Sequence, residues 1–203
     1  MRIIFFGNGN FGIPSLTKIF DSKHDLLCLV SNPPKRGGRK KNLIVPDIQL
    51  TAKKFDIDIV NQEDLNCSNF LNQIKALNPD LFVVVSYKLI PQVLLDIPKN
   101  GSINLHASNL PKYRGSSPIQ RALMNGDKKI GLTTFILNNG IDRGDIIDQK
   151  TFNYDDKITY TEVHNDLSIK GSEILNSSIG LLLDDSFSRK TQTNDNISYA
   201  KKI

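Results

Sequence analysis

Apolar residues recur along the chain in short blocks, separated by stretches with a helical period. Arg2-Ile-Ile-Phe-Phe6, apolar from Ile3 on and ending at a glycine turn, reads as a short buried strand, and Pro14 to Phe20 behind it has the pattern of a helix. Leu26 to Val30 predicts the next strand, Pro46 to Phe55 a helix whose Ile48 and Ala52 share a face, and Ile57 to Val60 a third short strand. Asn69 to Leu77 is helical in pattern and Asn78-Pro79 stops it. Asp80 to Ser86 is an almost unbroken apolar strand of the kind buried on both faces. This alternation implies an open, mostly parallel α/β sheet with flanking crossover helices. From Gly101 the character changes. Ser102 to Ala107, Gly131 to Leu137 and Ile146 to Phe152 are strand-like, and the turn signal Asn138-Asn-Gly140 between the last two predicts antiparallel strands in the C-terminal half. His164 to Leu183 forms a long final helical region. The polar tail from Asp184 to Ile203 has little capacity for a core of its own.

Composition narrows the class. A chain of 203 residues with 39% hydrophobic content can bury one sizeable core, so one globular domain is expected. The N-terminal apolar run gives way to glycine too soon for a signal-peptide core, and no later run reaches transmembrane length, so the expected location is cytoplasmic. Cys28 lies in an apolar run and Cys67 in a polar stretch, with no spacing that suggests a metal site or a disulfide; both are assigned to packing, and no metal is expected. The net charge of +5 is unevenly spread, because Lys35, Arg36, Arg39, Lys40 and Lys41 all fall within residues 35–41. Such a window fits a solvated loop or a polyanionic partner.

Gly7-Asn-Gly9-Asn-Phe-Gly12 follows a predicted strand and opens a predicted helix, the context that a dinucleotide-binding fingerprint requires. A dinucleotide site also needs an acidic residue at the end of the second strand for the ribose hydroxyls, where this chain has Ser31-Asn-Pro-Pro34. The glycines are therefore read as making a tight strand-to-helix turn, and NAD is not expected.

The stretch Ile103-Asn-Leu-His-Ala-Ser-Asn-Leu-Pro-Lys-Tyr-Arg-Gly115 carries the densest chemistry. Side chains alternate along a strand, so Asn104 and His106 point the same way, an amide and an imidazole suited to polarising a carbonyl. Asp142, on the loop after the Asn138-Asn-Gly140 turn, can accept a proton or orient His106. A hydrogen-bonded structural histidine and a solvated turn aspartate are the bland alternatives.

The order and spacing of Asn104, His106, Leu110-Pro111, Gly115 and Asp142 resemble the formyltetrahydrofolate-dependent formyltransferases. Ser117-Pro-Ile-Gln-Arg-Ala122, Gly140-Ile-Asp-Arg-Gly-Asp-Ile-Ile147 and the closing Ser198-Tyr-Ala-Lys-Lys-Ile203 are similar to the methionyl-tRNA branch of that superfamily. The resemblance implies a Rossmann-like catalytic domain over residues 1–189 and a polar tail or linker start over 190–203, without the β-barrel-like tRNA-binding domain usual in that branch. It implies transfer of a formyl group from 10-formyltetrahydrofolate to the α-amino group of methionyl initiator tRNA, with Asn104 and His106 on the formyl oxygen and Asp142 helping to take the amine proton. It further implies folate contacts from Tyr87, Leu89, Ile90, Ser108, Leu110 and Pro111, although Tyr87-Lys-Leu-Ile-Pro91 is one residue shorter than the family's usual pattern there. Arg36, Arg39, Lys40 and Lys41 would contact tRNA, and a monomer is the default. Two other readings stay open: a formyltransferase acting on a small amine, and a non-catalytic folate- or nucleotide-binding module.

Overall fold

The computed structural model describes residues 1–37 and 42–203. It forms two compact units, Met1–Ser102 and Ile103–Ile203.

In the first unit the elements run β1 (Arg2–Gly7), a 3-10 turn (Asn10–Gly12), α1 (Ile13–Phe20), β2 (Asp25–Ser31), β3 (Lys35–Gly37), β4 (Asn42–Ile44), α2 (Asp47–Lys54), β5 (Ile59–Asn61), α3 (Ser68–Ala76), β6 (Leu81–Val85) and α4 (Gln92–Leu95). Strand β1 pairs in parallel with β6 on one side and with β2 on the other, and β5 adds in parallel to β2. Ile3 to Phe6 and Leu81 to Val85 are buried throughout, because helices cover both faces of such a sheet and leave no polar side for alternation to show. Helix α1 buries Leu16 and Ile19, α2 buries Ile48 and Ala52, and α3 buries Phe70, Leu71 and Ile74.

The basic window, which by its sequence fits a solvated loop or a polyanionic partner, begins in β3, which pairs antiparallel with β4, Lys35 opposite Ile44 and Arg36 opposite Leu43. Strands of three residues are too brief for period-two alternation to register. The glycines lie at the turn between β1 and α1, where the sequence puts them. Gly9 and Gly12 sit at φ −89 and −80, which any residue can adopt. It is close packing that excludes a side chain: a Cβ at Gly7 would come within 2.9 Å of the Phe5 ring and 3.2 Å of the Val85 carbonyl oxygen. At the end of β2, Asn8 Oδ1 accepts hydrogen bonds from the Ser31 hydroxyl (3.0 Å) and the Asn32 N–H (2.7 Å).

The second unit comprises β7 (Ser102–His106, whose first residue belongs to the first unit), β8 (Arg114–Gly115), α5 (Pro118–Met124), β9 (Lys129–Ile136), β10 (Ile146–Asn153), α6 (Tyr160–Leu181) and β11 (Tyr199–Ala200). Strand β9 runs antiparallel to both β7 and β10, and the short β8 and β11 pair in parallel. Helix α6 starts four residues ahead of its expected His164, because Thr159 and Glu162 close a capping box at its N-terminus. Among the described residues no helix is long and apolar enough to cross a membrane.

Candidate active site

Strand β7 sets Asn104 opposite Phe135 and His106 opposite Thr133 on β9, so the two polar side chains share a face. Leu105, between them, points the other way, where a Cβ on Gly171 of α6 would come within 2.7 Å of its Cδ2. His106 is 6% exposed, and its Nε2 lies 2.8 Å from the Tyr113 carbonyl oxygen. A carbonyl only accepts, so Nε2 carries the proton and Nδ1 is left facing Asp142 Oδ2 at 3.7 Å. That separation is too long for a direct hydrogen bond and short enough for the carboxylate to attract the imidazole when Nδ1 is also protonated. The same carboxylate oxygen accepts the Gly115 N–H at 2.7 Å. Asp142 itself sits at φ 50, a left-handed conformation that aspartate tolerates better than most residues. Asn104 is half-buried, and among the described residues no hydrogen bond engages its side-chain amide.

The turn from Ser108 to Gly115 is held from several sides. The Thr133 hydroxyl donates to the Ser108 carbonyl (2.7 Å) and accepts from Leu110 N–H (3.2 Å), while Gln149 Nε2 donates to the Leu110 carbonyl (2.9 Å). Leu110 packs into a buried cluster with Phe135 and Ile146, and the Ser108 hydroxyl donates to the Lys112 carbonyl at 2.6 Å. Both side chains thereby hold the turn together, and Pro111 follows Leu110 through a cis peptide bond. Gly115, at φ 121, has the Ala200 carbonyl oxygen 2.7 Å from where a Cβ would stand, so both its backbone conformation and its neighbour require glycine. Arg114, 4% exposed, donates through Nη2 to Gln192 Oε1 at 2.6 Å, and Tyr113 N–H donates to Ser198 Oγ at 2.8 Å. Arg114, Thr133, Gln149, Gln192 and Ser198 escape sequence reasoning. Their one signal is the closing Ser198-Tyr-Ala segment, similar to the family pattern but with no local sign of where it lands.

The other candidates are placed as follows. In the first unit Tyr87 is half-buried, with its ring edge-on to Phe6 at 5.6 Å and its buried hydroxyl without a hydrogen-bond partner among the described residues; burial pushes this phenol well above the usual tyrosine range. Leu89 is 68% exposed, and Ile90 is buried. Arg36 is exposed on β3 beside Lys35, whose ammonium pairs with Glu63 at 2.7 Å. Arg39, Lys40 and Lys41 lie outside the described residues. A cavity of about 560 Å³ beside Ser108 and Tyr113 is rimmed by Lys112, Lys128 and Lys129, but none of Asn104, His106 and Asp142 lines it, so its size does not mark it as the place where the polar groups converge. Among the described residues no cluster of three or more His, Cys, Asp or Glu side chains is arranged to hold a metal ion.

The formyl transferase family profile matches residues 1–179. The chain is 40% identical over 202 residues to the methionyl-tRNA formyltransferase of Thermodesulfovibrio yellowstonii, which covers 99% of this chain and 65% of that protein. It thus spans about 65% of the length of the curated relatives it matches. Among solved structures its backbone is similar to glycinamide ribonucleotide transformylase 1 from Symbiobacterium toebii, with a TM-score of 0.75 at 18% identity over 95% of this chain and 94% of that one. It is also similar to WlaRD, a sugar 3N-formyl transferase crystallised in the presence of dTDP and 5-N-formyl-THF, with a TM-score of 0.74 at 24% identity over 100% of this chain and 70% of that one. At these identities the structural likeness establishes the fold alone. On the family match over residues 1–179, the chain belongs to the formyl transferase family.

Proposed function

We propose that this protein transfers the formyl group of 10-formyltetrahydrofolate to the α-amino group of methionyl initiator tRNA. The observation that carries the reading is the convergence on His106, whose Nε2 meets a carbonyl at 2.8 Å and whose Nδ1 faces a carboxylate at 3.7 Å, beside an Asn104 amide on the same strand face. In the reaction the amine nitrogen bonds to the formyl carbon, the formyl oxygen gains negative charge, and the bond to N10 of the folate breaks as the carbonyl re-forms. The amine gives up one proton and N10 takes one. Asn104 hydrogen-bonds the developing oxyanion, and His106 joins it in its doubly protonated form, donating from Nδ1 while Nε2 stays on the Tyr113 carbonyl, which stabilises charge present only in the transition state. Asp142 holds His106 in orientation and receives the amine proton through a water.

Tyr87, Leu89 and Ile90 are proposed to contact the pterin ring of the donor, with Ser108, Leu110 and Pro111 shaping the turn beside the catalytic strand. Arg36 and the neighbouring Arg39, Lys40 and Lys41 are proposed to contact tRNA phosphates, which makes the tRNA interaction salt-dependent. The methionyl acceptor is supported by the 40% identity to a methionyl-tRNA formyltransferase. The test is to incubate the chain with donor labelled in its formyl group and to offer methionyl initiator tRNA, glycinamide ribonucleotide and a nucleotide-linked amino sugar separately. Label on the tRNA amine, abolished by Asn104→Ala in a variant that still folds, is the expected result. Label only on a small amine keeps the chemistry and refutes the acceptor. A failure to label any of the three refutes the proposal for this chain.

A further inference from the structure

The segment after α6 has no apolar pattern of its own, yet it returns to the site. Lys190 pairs with Ile146 across an antiparallel bridge, and two residues later Gln192 uses both ends of its side-chain amide. Its Nε2 donates to the Asp142 carbonyl at 2.9 Å and to the Gly144 carbonyl at 2.8 Å, while its Oε1 accepts from Arg114 Nε at 3.3 Å and Nη2 at 2.6 Å. One amide therefore joins the loop that carries Asp142 to the strand whose Gly115 N–H binds the Asp142 carboxylate at 2.7 Å. Further along the segment, Ser198 Oγ accepts the N–H of Tyr113, whose carbonyl receives His106 Nε2, and its carbonyl accepts the N–H of Arg114 at 2.9 Å. The 142–144 loop has little slack to absorb a missing tie. Asp142 is held at φ 50, and a Cβ on Gly144 would overlap the Ile136 carbonyl oxygen.

We infer that Gln192 is a positioning residue that sets Asp142, and through it His106, by bridging the 142–144 backbone to Arg114. The inference rests on the proposed roles of Asp142 and His106 in formyl transfer. The chemistry of the side chain is specific to the task, because an amide offers two N–H donors and an acceptor oxygen at one end. Glutamate can still accept from Arg114, with the added attraction of opposite charge, but it has no proton for the two carbonyls and repels them. Methionine has nearly the same shape as glutamine and lacks the bonds to either side.

The experiment compares Gln192→Glu and Gln192→Met with the wild-type chain by melting temperature, by single-turnover transfer of labelled formyl, and by the imidazole nitrogen resonances. The chain has three histidines, so His24 and His164 serve as internal controls for His106. Gln192→Glu is expected to stay folded with a modestly lowered melting temperature, to keep the apparent affinity for the formyl donor, to slow transfer on the order of 100-fold as a catalytic group is displaced, and to shift the His106 resonances alone. Placed in an Asp142→Asn background, the same substitution is expected to cost little more. A wild-type rate with unmoved His106 resonances overturns the inference, as does an undiminished further loss in the Asp142→Asn background. Should Gln192→Glu fail to fold, Gln192→Met carries the same comparisons. Should the wild-type chain transfer no formyl group, the proposed function fails, and the His106 resonances still decide the positioning role: moved in the variants they support it, unmoved they overturn it.

Discussion

One carboxylate oxygen of Asp142 has two neighbours, the Gly115 N–H at 2.7 Å and His106 Nδ1 at 3.7 Å, and substitution can separate them. Asn tolerates the left-handed conformation and still offers an oxygen to Gly115, so Asp142→Asn should fold like the wild type. It removes the charge facing His106 and should slow formyl transfer by roughly 100- to 10,000-fold, the range of a lost acid–base group. Asp142→Ala should be equally inactive and also less stable, by about 1–3 kcal/mol for the unpaired donor, with backbone strain added. Urea titration of both variants checks the ordering, and equal stability would show that the Gly115 contact contributes nothing. The three catalytic candidates were legible in sequence because each lies in a recognisable local pattern. Gln192 was not, because its partners lie 78 residues away at Arg114 and 50 away at Asp142, and a polar segment carries no periodicity that points to them.

Elements were legible where burial wrote a pattern into the sequence. Ile3 to Phe6 of β1 and the whole of β6 are apolar because both their faces are covered, and α1 shows its buried Leu16 and Ile19 at helical spacing. The β3–β4 hairpin and the two-residue pair β8–β11 left no such pattern, since their order comes from pairing with distant or turn-separated chain. The start of α6 was legible in principle: Thr159 and Glu162 three residues later are a capping box written in the sequence, and the Thr159 N–H and hydroxyl both reach Glu162 Oε2 at 2.8 and 2.7 Å. The Thr159 N–H and then the Thr159 hydroxyl hold the Glu162 carboxyl below the usual carboxylate range, so this contribution, of which alanine removes the hydroxyl's share, is present at neutral pH and is lost as pH falls through the lowered value. Thr159→Ala should therefore destabilise the protein by about 1 kcal/mol at pH 7, and by less in acid, where Glu162 has already been protonated. The urea midpoint at the two pH values measures the difference, and an equal loss at both would remove Glu162 from the explanation.

Stability of the whole molecule against alkali follows from what its sheet buries. Cys28 lies on β2 at 2% exposure, and burial, reinforced by Asp58, pushes its thiol up to about 12. An unfolded thiol ionises near pH 8.5. Between those values the unfolded chain releases a proton that the folded one keeps, so stability falls as pH rises and is unaffected by this group below about pH 8. At pH 10.5 the gap of about two pH units corresponds to about 2 to 3 kcal/mol. The Tyr154 phenol, raised by burial and by its hydrogen bond to Asp166, acts in the same direction but only above the ordinary tyrosine range. Replacing Cys28 by valine removes the thiol while keeping a small apolar side chain on the strand. Whatever packing change it brings is common to both pH values and cancels in the difference. The fall in unfolding free energy from pH 7 to pH 10.5 should therefore be smaller in Cys28→Val than in the wild type by that 2 to 3 kcal/mol. Identical falls would mean that the thiol reaches solvent in the folded state and that β2 is less tightly covered than its burial implies.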